Sequence, residues 1–525
     1  MLFPGADMKL LSLILVTASA AAAATPCAGL SELTLPGATI TAAQSVPAGP
    51  FTPPEGPAIP GVPAFCRVAL VVKPSSDSNI QVEVWLPASN WNGKFQGIGN
   101  GGFAGYIGYG ALANAVAHGY ATASTDTGHH AGGTDASWAL DHRERIVDFG
   151  YRAIHETALK AKAIINAFYG EGPKRSYFSS CSNGGRQALM EAQRYPADYD
   201  GIIAGAPANY WTHLLTQAVV NIQATLGDSA GYISAAKLPA IQKAALAACD
   251  AGDGVKDGVI EDPAQCRFDP AVLLCQGAES DSCLTQPQLA TLKKLYDGPR
   301  TSKGAQIMPG YSPGGEAEPG GWAAWITGPS QGKSLLYAFG TQFFSNMVFD
   351  QASWDWKTFQ VDRDMKVADD KMAGIMNAGD ADLKNFQARG GKLILYHGWS
   401  DAAIPAQSTI NYYRSVEKKM GAKQVSQFVR LYMVPSMEHC GGGAGATTFG
   451  QGGVGQGDAQ HDIDAALERW VEQNSAPAEI IASKFQTGTN PASGIARTHP
   501  LCPYPQKAYY KGTGSTDDAA NFVCK

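Results

Sequence analysis

The sequence predicts an α/β fold in which a mainly parallel sheet is interrupted by one large insertion. Residues 28–207 alternate short apolar runs, turns and helical stretches, which is the β-α-β rhythm of a parallel sheet. Residues 208–365 differ: helical pieces mix with four cysteines, an Asp/Gly-rich loop and a Gly/Pro/Trp stretch. The strand pattern resumes at residue 392, so both flanks of the insertion are expected to form one sheet.

Hydrophobic periodicity locates the individual elements. Ile154, Ala158, Ala161 and Ile165 recur on one helical face, which predicts a helix over residues 151–168. Helices are also predicted over residues 185–194 and 463–471. Short apolar or alternating runs predict strands over residues 81–86, 95–98, 177–179, 201–204, 392–396 and 428–434.

Length and composition indicate a globular protein. The 525 residues exceed one ordinary core and favour a large domain with an insertion, or two to three domains. Hydrophobic residues make up 45% of the chain and charged residues 16%, which excludes a disordered protein. The net charge of −6, without long charge runs, argues against a nucleic-acid-binding surface.

The N-terminus has the pattern of an export signal over residues 1–24. Lys9 precedes an apolar stretch over residues 10–16, and small residues follow up to a cleavage site expected after Ala24. Met8 is an alternative start. A membrane anchor is the competing interpretation, but no segment has about 18 uninterrupted apolar residues. We therefore expect a secreted or periplasmic protein that is not held in a membrane.

The ten cysteines agree with export, because an even number in an oxidising compartment predicts disulfides. None lies in a Cys-x-x-Cys pair, which argues against a zinc ribbon. Spacing alone does not settle the pairing. The plausible local closures are Cys249 with Cys266, Cys275 with Cys283, and Cys502 with Cys524.

A candidate nucleophile lies between a predicted strand and a predicted helix. The segment Ser180-Cys181-Ser182-Asn183-Gly184-Gly185 predicts a tight turn that projects the Ser182 hydroxyl above the sheet. In such a turn the amide of the next residue, Asn183, faces a developing oxyanion. Ser180 replaces the first glycine of the usual Gly-x-Ser-x-Gly pattern, so a Ser/Gly-rich structural turn is the alternative.

Candidate partners for Ser182 follow two later strands. Asp401 comes five residues after one strand, and His439 comes five residues after the next. The chain order serine, acid, histidine is that of the α/β-hydrolase fold, in which the histidine takes the serine proton and the acid orients the imidazolium. His397 is the competing base and Asp380 the competing acid.

A Gly-rich turn after an early strand is a candidate for the rest of the oxyanion hole. Gly101 and Gly102 follow the strand predicted over residues 95–98. The amide of one of them would act together with that of Asn183, although Gly-Gly turns are also common without any catalytic role. The sequence leaves open which glycine donates.

The motifs together carry a family resemblance. Two cysteines adjoin the candidate catalytic residues, in Cys181-Ser182 and His439-Cys440. This pattern, with the block Tyr195-Pro-Ala-Asp-Tyr-Asp-Gly-Ile-Ile-Ala-Gly-Ala-Pro207, resembles the tannase and feruloyl esterase family, which includes mono(hydroxyethyl) terephthalate hydrolase. The resemblance covers nearly the whole chain after residue 24.

The resemblance implies a secreted serine esterase with an α/β-hydrolase domain over residues 25–207 and 366–525 and a lid over residues 208–365. Its substrates would be small esters of aromatic carboxylic acids. It also implies five disulfides, namely Cys27–Cys66, Cys181–Cys440, Cys249–Cys266, Cys275–Cys283 and Cys502–Cys524.

An acidic loop in the insertion is a candidate calcium site. Three carboxylates within eight residues repel one another unless a cation is present, and the glycines between them permit tight wrapping. A solvated acidic turn is the alternative, because the spacing is not that of an EF-hand. The resemblance implies structural calcium bound by the carboxylates of Asp250, Asp253 and Asp257 and the carbonyls of Val255 and Val259.

Aromatic residues of the insertion are candidates for holding an aromatic acyl group, although each could instead be lid core. They are Trp322, Trp325, Phe339, Phe343 and Phe344. No arginine lies between Arg300 and Arg363, whereas the terephthalate-ester hydrolases of the family use a lid arginine. Hydroxycinnamic, gallic or related esters are therefore expected. The alternatives are terephthalate-ester hydrolysis, a lipase or peptidase, and a calcium-stabilised binding protein without catalysis.

Overall fold

The computed structural model describes residue 1, residues 24–452 and residues 457–525. The export signal predicted over residues 1–24 therefore lies almost entirely outside the described residues. No helix in the described part of the chain is long and apolar enough to span a membrane.

Nine strands form one mixed central sheet, and the other six form three two-stranded sheets. The order across the central sheet is β1-β4-β5-β7-β6-β8-β9-β10-β11, antiparallel up to β7 and parallel from β7 onwards. The strands of the described residues are β1 (Ala38–Val46), β2 (Gly49–Phe51), β3 (Ile59–Val62), β4 (Phe65–Val72), β5 (Ile80–Pro87), β6 (Lys94–Ile98), β7 (Ala121–Thr125), β8 (Arg175–Cys181), β9 (Gly201–Gly205), β10 (Lys392–Gly398), β11 (Val429–Val434), β12 (Ile480–Phe485), β13 (Ile495–Leu501), β14 (Ala508–Tyr510) and β15 (Phe522–Cys524).

Helices cover both faces of this sheet and build the insertion. They are α1 (Tyr109–Ala117), α2 (Arg143–Val147), α3 (Ala153–Tyr169), α4 (Asn183–Arg194), α5 (Trp211–Leu226), α6 (Leu238–Cys249), α7 (Gln286–Asp297), α8 (Trp322–Trp325), α9 (Leu335–Gln342), α10 (Val361–Ala368), α11 (Gly374–Met376), α12 (Lys384–Ala388), α13 (Gln407–Met420), α14 (Ala422–Val425) and α15 (Ile463–Gln473). The three helices predicted from periodicity correspond to α3, α4 and α15.

Alternation of side chains along the central strands gives the sheet two cores. Phe178 of β8 and Leu395 of β10 belong to the core that also contains residues of α3, α4 and α13. Their neighbours Tyr177 and Tyr396 belong to the opposite core, with residues of α1 and α15. Successive strand residues point to opposite faces, so strands buried on both faces read as continuous apolar runs.

The segment between β9 and β10 contributes no strand to the central sheet within the described residues, and it contains α5 to α12. This agrees with the predicted α/β-hydrolase fold carrying a large insertion before the acid. The boundaries predicted for the lid, residues 208–365, stay a prediction, because the helical segment continues to α12.

Candidate active site

Ser182 sits in the turn between β8 and α4. Its φ of 67° lies in the left-handed region, where a non-glycine residue is strained. Its N–H donates to the carbonyl of Gly205 at 3.0 Å. A side chain at Gly185 would overlap that same carbonyl, so the close approach of α4 to β9 requires glycine. The strained turn presents the Ser182 hydroxyl at the carboxyl end of the sheet.

Two neighbouring glycines explain how the turn tolerates Ser180 in place of the first glycine of the usual pattern. The Ser180 side chain is the one that needs space. The Ser180 side chain packs against Gly99 and Gly184, and a Cβ added at either glycine would collide with the Ser180 side chain. The two glycines provide the space that Ser180 occupies.

A continuous hydrogen-bond chain links Ser182, His439 and Asp401. His439 Nε2 lies 2.8 Å from Ser182 Oγ, and His439 Nδ1 lies 2.8 Å from Asp401 Oδ2. The Asp401 side chain is inaccessible to solvent, and that of His439 is 11% exposed. These three residues, predicted from chain order, are therefore in contact.

The Asp401 carboxylate has three hydrogen-bond partners besides His439. Its Oδ1 accepts the N–H groups of Ala403 and Ile404, both at 2.8 Å. Its Oδ2 lies 3.1 Å from His397 Nε2 as well as near His439. Burial alone would raise the pKa of Asp401, but His439 and His397 outweigh it, so the pKa lies below the ordinary range of an aspartate.

The competing residues have other positions. His397 is fully buried, and its Nδ1 lies 2.7 Å from Thr409 Oγ1, so it supports the acid instead of replacing the base. Asp380 is exposed and its N–H is bonded to Gln193.

The glycine turn after β6 brings one amide to the site. Gly102 lines the cavity in front of Ser182 together with Asn183, and its N–H has no acceptor among the described residues. The Gly101 N–H, in contrast, donates to the Tyr106 hydroxyl at 3.1 Å. Gly102 has a φ of 57° and lies against the carbonyl of Gly133, which leaves no room for a side chain. Of the two predicted glycines, the structure favours Gly102.

Arg186, which sequence reasoning missed, anchors this region. Its guanidinium is fully buried and donates to Asn183 Oδ1 at 2.8 Å and to the carbonyl of Gly150 at 2.7 Å. The planar group also lies over the rings of Phe149 and Trp211. The sequence shows only an arginine four residues after Ser182, and the burial that makes specific partners necessary for this charge is visible only in the structure.

All five disulfides implied by the resemblance are present, and the structure describes no free cysteine. Cys181–Cys440 joins the residue before Ser182 to the residue after His439, across 259 positions of sequence. The two loops that carry the base and the nucleophile are therefore covalently linked.

The cavity in front of Ser182 and His439 is apolar. Trp325 and Phe339, two of the five aromatic candidates from the insertion, line it. Their rings are stacked at 5.9 Å, and the Trp325 ring meets the His439 ring edge to face at 4.9 Å. Lining residues that sequence reasoning missed are Ala208, Trp211, Leu214, Leu215, Leu336, Ala403 and Ile404.

The other three aromatic candidates do not line this cavity, which corrects the prediction for them. Trp322 is 1% exposed and packs against Tyr296 and Tyr311 inside the insertion. Phe343 and Phe344 are fully buried in a neighbouring aromatic cluster. Burying their large apolar surface in the core of the insertion is favourable. The sequence shows only that these residues are aromatic, so it does not distinguish a core position from a position at the cavity.

The acidic loop wraps around Asp250. The Asp250 carboxylate accepts the N–H groups of Asp257 and Gly258, at 3.2 and 3.1 Å. Asp253 and Asp257 accept the N–H groups of Val255 and Val259. Arg497 Nη1 lies 2.6 Å from Asp257 Oδ2. Within the described residues, the three carboxylates do not all approach within 4.8 Å of one another. Their oxygens and the loop carbonyls are nevertheless the hard donors that calcium prefers.

Glu438 is a second buried acid beside the candidate base. It is 2% exposed, and neither carboxyl oxygen has a hydrogen-bond partner among the described residues. The backbone of Gly315 and Gly321 lies against Oε1. Burial raises the pKa of Glu438 to about 10, and the charge of Asp401 adds to this shift.

The raised pKa of Glu438 predicts that Glu438→Gln increases stability at alkaline pH. The folded protein holds this proton more tightly than the unfolded chain, so its stabilising effect is complete below about pH 4 and is lost as pH rises towards about 10. Glutamine carries no such proton. The melting temperature of Glu438→Gln should therefore exceed that of the wild type by several degrees at about pH 8 to 9, and the difference should shrink towards about pH 5.

Thermal unfolding across this pH range measures the effect, and Glu171→Gln is the matched control, because Glu171 is exposed. A pH-independent difference between Glu438→Gln and the wild type would contradict the assignment of a neutral, buried Glu438.

Comparisons with known proteins show the family to which the chain is related. The profile of the family described as "Tannase and feruloyl esterase" matches residues 66–525. The chain is 47% identical to an uncharacterized esterase from Xanthomonas campestris pv. campestris, over 97% of this chain and 92% of that protein. It is 33% identical to a probable feruloyl esterase B-2 from Aspergillus terreus, over 87% of this chain and 86% of the relative.

Solved structures show the same fold. Feruloyl esterase B from Aspergillus oryzae superposes with a TM-score of 0.87 at 30% identity, covering 95% of this chain and 99% of that one. Tannin acyl hydrolase from Aspergillus niger superposes with a TM-score of 0.75 at 23% identity, covering 94% and 92% of the two chains, and supports the fold alone. With a family match over residues 66–525 and relatives aligned along most of their length, the chain belongs to the tannase and feruloyl esterase family of carboxylic ester hydrolases.

Proposed function

We propose that the protein is a serine esterase that hydrolyses esters of hydroxyaromatic carboxylic acids through an acyl-enzyme. The observation that carries the proposal is the hydrogen-bond chain from Asp401 through His439 to Ser182, which opens into an apolar cavity edged by Trp325 and Phe339.

In the proposed reaction, Ser182 Oγ attacks the ester carbonyl while His439 Nε2 takes its proton. The Asp401 carboxylate stabilises the imidazolium through Nδ1–H. The amides of Asn183 and Gly102 donate to the oxyanion. His439 then returns the proton to the leaving alcohol, which yields the Ser182 ester of the acid. Water, deprotonated by His439, attacks this ester, and its collapse releases the acid and restores the Ser182 hydroxyl.

The cavity lining favours a neutral acyl ring with few polar groups. It has no lysine or arginine among its described residues, so a second carboxylate, as in a terephthalate monoester, would lose hydration without a counter-charge. The three hydroxyl groups of gallate would meet mostly hydrocarbon and aromatic side chains. Ferulate, with one hydroxyl and one methoxy group, leaves fewer polar groups unpaired. The relatives named feruloyl esterases support this choice.

A substrate panel tests the proposal. We expect kcat/KM to decrease from methyl ferulate to methyl gallate to mono(hydroxyethyl) terephthalate, with p-nitrophenyl butyrate as the generic control ester. Preference for the terephthalate monoester would overturn the substrate class. Failure to release p-nitrophenol from the control ester would favour a binding protein instead of an enzyme.

The disulfide between the two catalytic loops should be required for full activity. Combined replacement Cys181→Ala and Cys440→Ala frees the residues beside Ser182 and His439. A misplacement of about 1 Å can cost about a hundredfold in rate, so we expect roughly that loss in kcat/KM while the protein is still folded. The closed loop should also contribute about 5 kcal/mol or less to stability.

Cys275→Ala with Cys283→Ala is the matched control, because it opens a short loop within the insertion. Its activity should stay near that of the wild type. Peptide mapping without reduction should recover Cys181 and Cys440 in one linked fragment, and active enzyme with both as free thiols would refute the requirement.

We further propose that the acidic loop holds a structural calcium ion through Asp250, Asp253, Asp257 and the carbonyls of Val255 and Val259. The support is a set of hard oxygen donors in one loop closed by the Cys249–Cys266 disulfide. The ion would stabilise the fold of the loop and would not enter the reaction.

Removal of calcium should lower the melting temperature. Saturation at about a hundredfold over Kd corresponds to about 2.7 kcal/mol of stability, which a chelator would remove and added calcium would restore. Asp253→Asn should abolish the response to both treatments. An unchanged melting curve after exhaustive chelation, together with no calcium in elemental analysis, would exclude the ion.

We also propose that the protein is exported. Five disulfides support this, because such bonds persist in oxidising compartments.

A further inference from the structure

A cluster of three metal-ligand side chains lies away from the active site. His155 of α3, Glu191 of α4 and Asp198, in the segment between α4 and β9, each offer one ligand atom, and these atoms lie within 4.8 Å of one another. His155 Nδ1 is 2.6 Å from Asp198 Oδ2. Among the described residues, this is the one group of three or more His, Cys, Asp or Glu side chains that converges in this way.

Glu191 is the member whose surroundings require an explanation. Its side chain is 1% exposed, and neither carboxyl oxygen accepts a hydrogen bond from any donor in the described residues. A buried carboxylate without a donor or counter-ion is costly. Lys162, a cation whose charge acts on Glu191, donates its hydrogen bond to the backbone carbonyl of Asp198 instead. The Glu191 oxygens therefore face His155 and Asp198 without a hydrogen-bond donor among the described residues.

We propose that His155, Glu191 and Asp198 bind a divalent transition-metal ion, with zinc as the best match. One imidazole nitrogen with two carboxylate oxygens suits zinc, whereas calcium prefers oxygen ligands only. Tetrahedral zinc places its ligand atoms about 3.3 Å apart. His155 Nδ1 and Asp198 Oδ2, which are 2.6 Å apart, would therefore separate slightly, and the Glu191 carboxylate, whose ligand atom lies within 4.8 Å of the other two, would close in to complete the site. The His155 side chain is 23% exposed, which gives an ion access from solvent.

The position of the site indicates a structural role. The ion would tie α3 to α4 and to the segment that enters β9. Glu191 lies nine residues after Ser182, roughly 13 Å along the helix, so the ion would not reach the reacting atoms. It would instead fix the helix whose first residue is Asn183.

The competing explanation is a proton shared between the Glu191 and Asp198 carboxyl groups. The variant Glu191→Gln distinguishes the shared proton from the metal ion, because glutamine keeps the size of the side chain and can donate a hydrogen bond to Asp198. If the two carboxyl groups share a proton, the amide of glutamine replaces that hydrogen bond and the protein loses little stability. A metal site, in contrast, loses a charged ligand.

The test is calorimetric titration of the chelator-treated, full-length protein with zinc, in excess calcium to saturate the acidic loop. We expect one zinc ion per chain and a higher melting temperature with zinc. Glu191→Gln should weaken zinc binding at least about a hundredfold. His155→Gln should do the same, and covers the case in which Glu191→Gln fails to fold.

His461→Gln is the matched control, because His461 contacts Asp458 at the surface and no third ligand joins them in the part of the chain that the structure describes. It should bind zinc as the wild type does. No stoichiometric zinc binding, equal binding by Glu191→Gln and the wild type, or loss of binding in His461→Gln would each overturn the proposal. These measurements do not depend on esterase activity, so a negative result for zinc would not contradict the proposed function, and the reverse also holds.

Discussion

Replacing Ser182 by alanine should lower kcat on an aromatic ester by about a millionfold while leaving the fold intact. The substitution deletes the oxygen that lies 2.8 Å from His439 Nε2 and leaves the backbone of the turn in place. The residual rate would come from the oxyanion donors and from substrate binding. Steady-state kinetics on methyl ferulate, with circular dichroism to verify folding, measures the effect.

Ser180→Ala is the matched control in the same turn. Ser180 packs against Gly99 and Gly184 and takes no part in the hydrogen-bond chain, so its loss should change kcat only several-fold. Comparable losses in Ser180→Ala and Ser182→Ala would mean that disruption of the turn, and not removal of a nucleophile, explains the result.

The second largest effect is expected from Asp401→Asn, which should lower kcat by about ten thousandfold. The carboxylate accepts from His439 Nδ1 at 2.8 Å and balances the charge that His439 acquires during the reaction. An amide has no charge, and its NH₂ group can turn the imidazole to the wrong tautomer. Because the pKa of Asp401 lies below the ordinary range, the wild-type carboxylate is charged at neutral pH.

Asp380→Asn provides the comparison, since Asp380 is the competing candidate for the acid and it is exposed. Its kcat should equal that of the wild type. A large loss in Asp380→Asn, or wild-type activity in folded Asp401→Asn, would refute the assignment of the acid.

The central features of the fold were predictable because they depend on local pattern. Strands β9 and β10 are buried on both faces and read as largely apolar runs, and α3, α4 and α15 show clear helical periodicity. Local sequence pattern did not predict the direction and order of the strands in the antiparallel half of the sheet. Strand direction and order depend on contacts distant in sequence, such as the pairing of β5 with β7.

The site was predictable to the extent that chemistry imposes a chain order and a spacing. Ser182, Asp401 and His439 each follow a strand, so the parallel sheet brings them to one edge. The choice between Gly101 and Gly102 depended on the Tyr106 hydroxyl, a contact that sequence does not reveal. Arg186 and Glu438 were missed for the same reason, because their roles depend on burial.

The most direct test of the account is covalent labelling of the nucleophile with a p-nitrophenyl alkylphosphonate. Attack by Ser182 Oγ on phosphorus should expel one p-nitrophenolate per active chain and leave a stable phosphonyl ester. Intact-protein and peptide mass spectrometry should then place one adduct on the fragment that contains Ser182, with activity lost in proportion, and Ser182→Ala should not be labelled. Full inactivation with the adduct on another residue, or equal labelling of Ser182→Ala, would contradict Ser182 as the nucleophile.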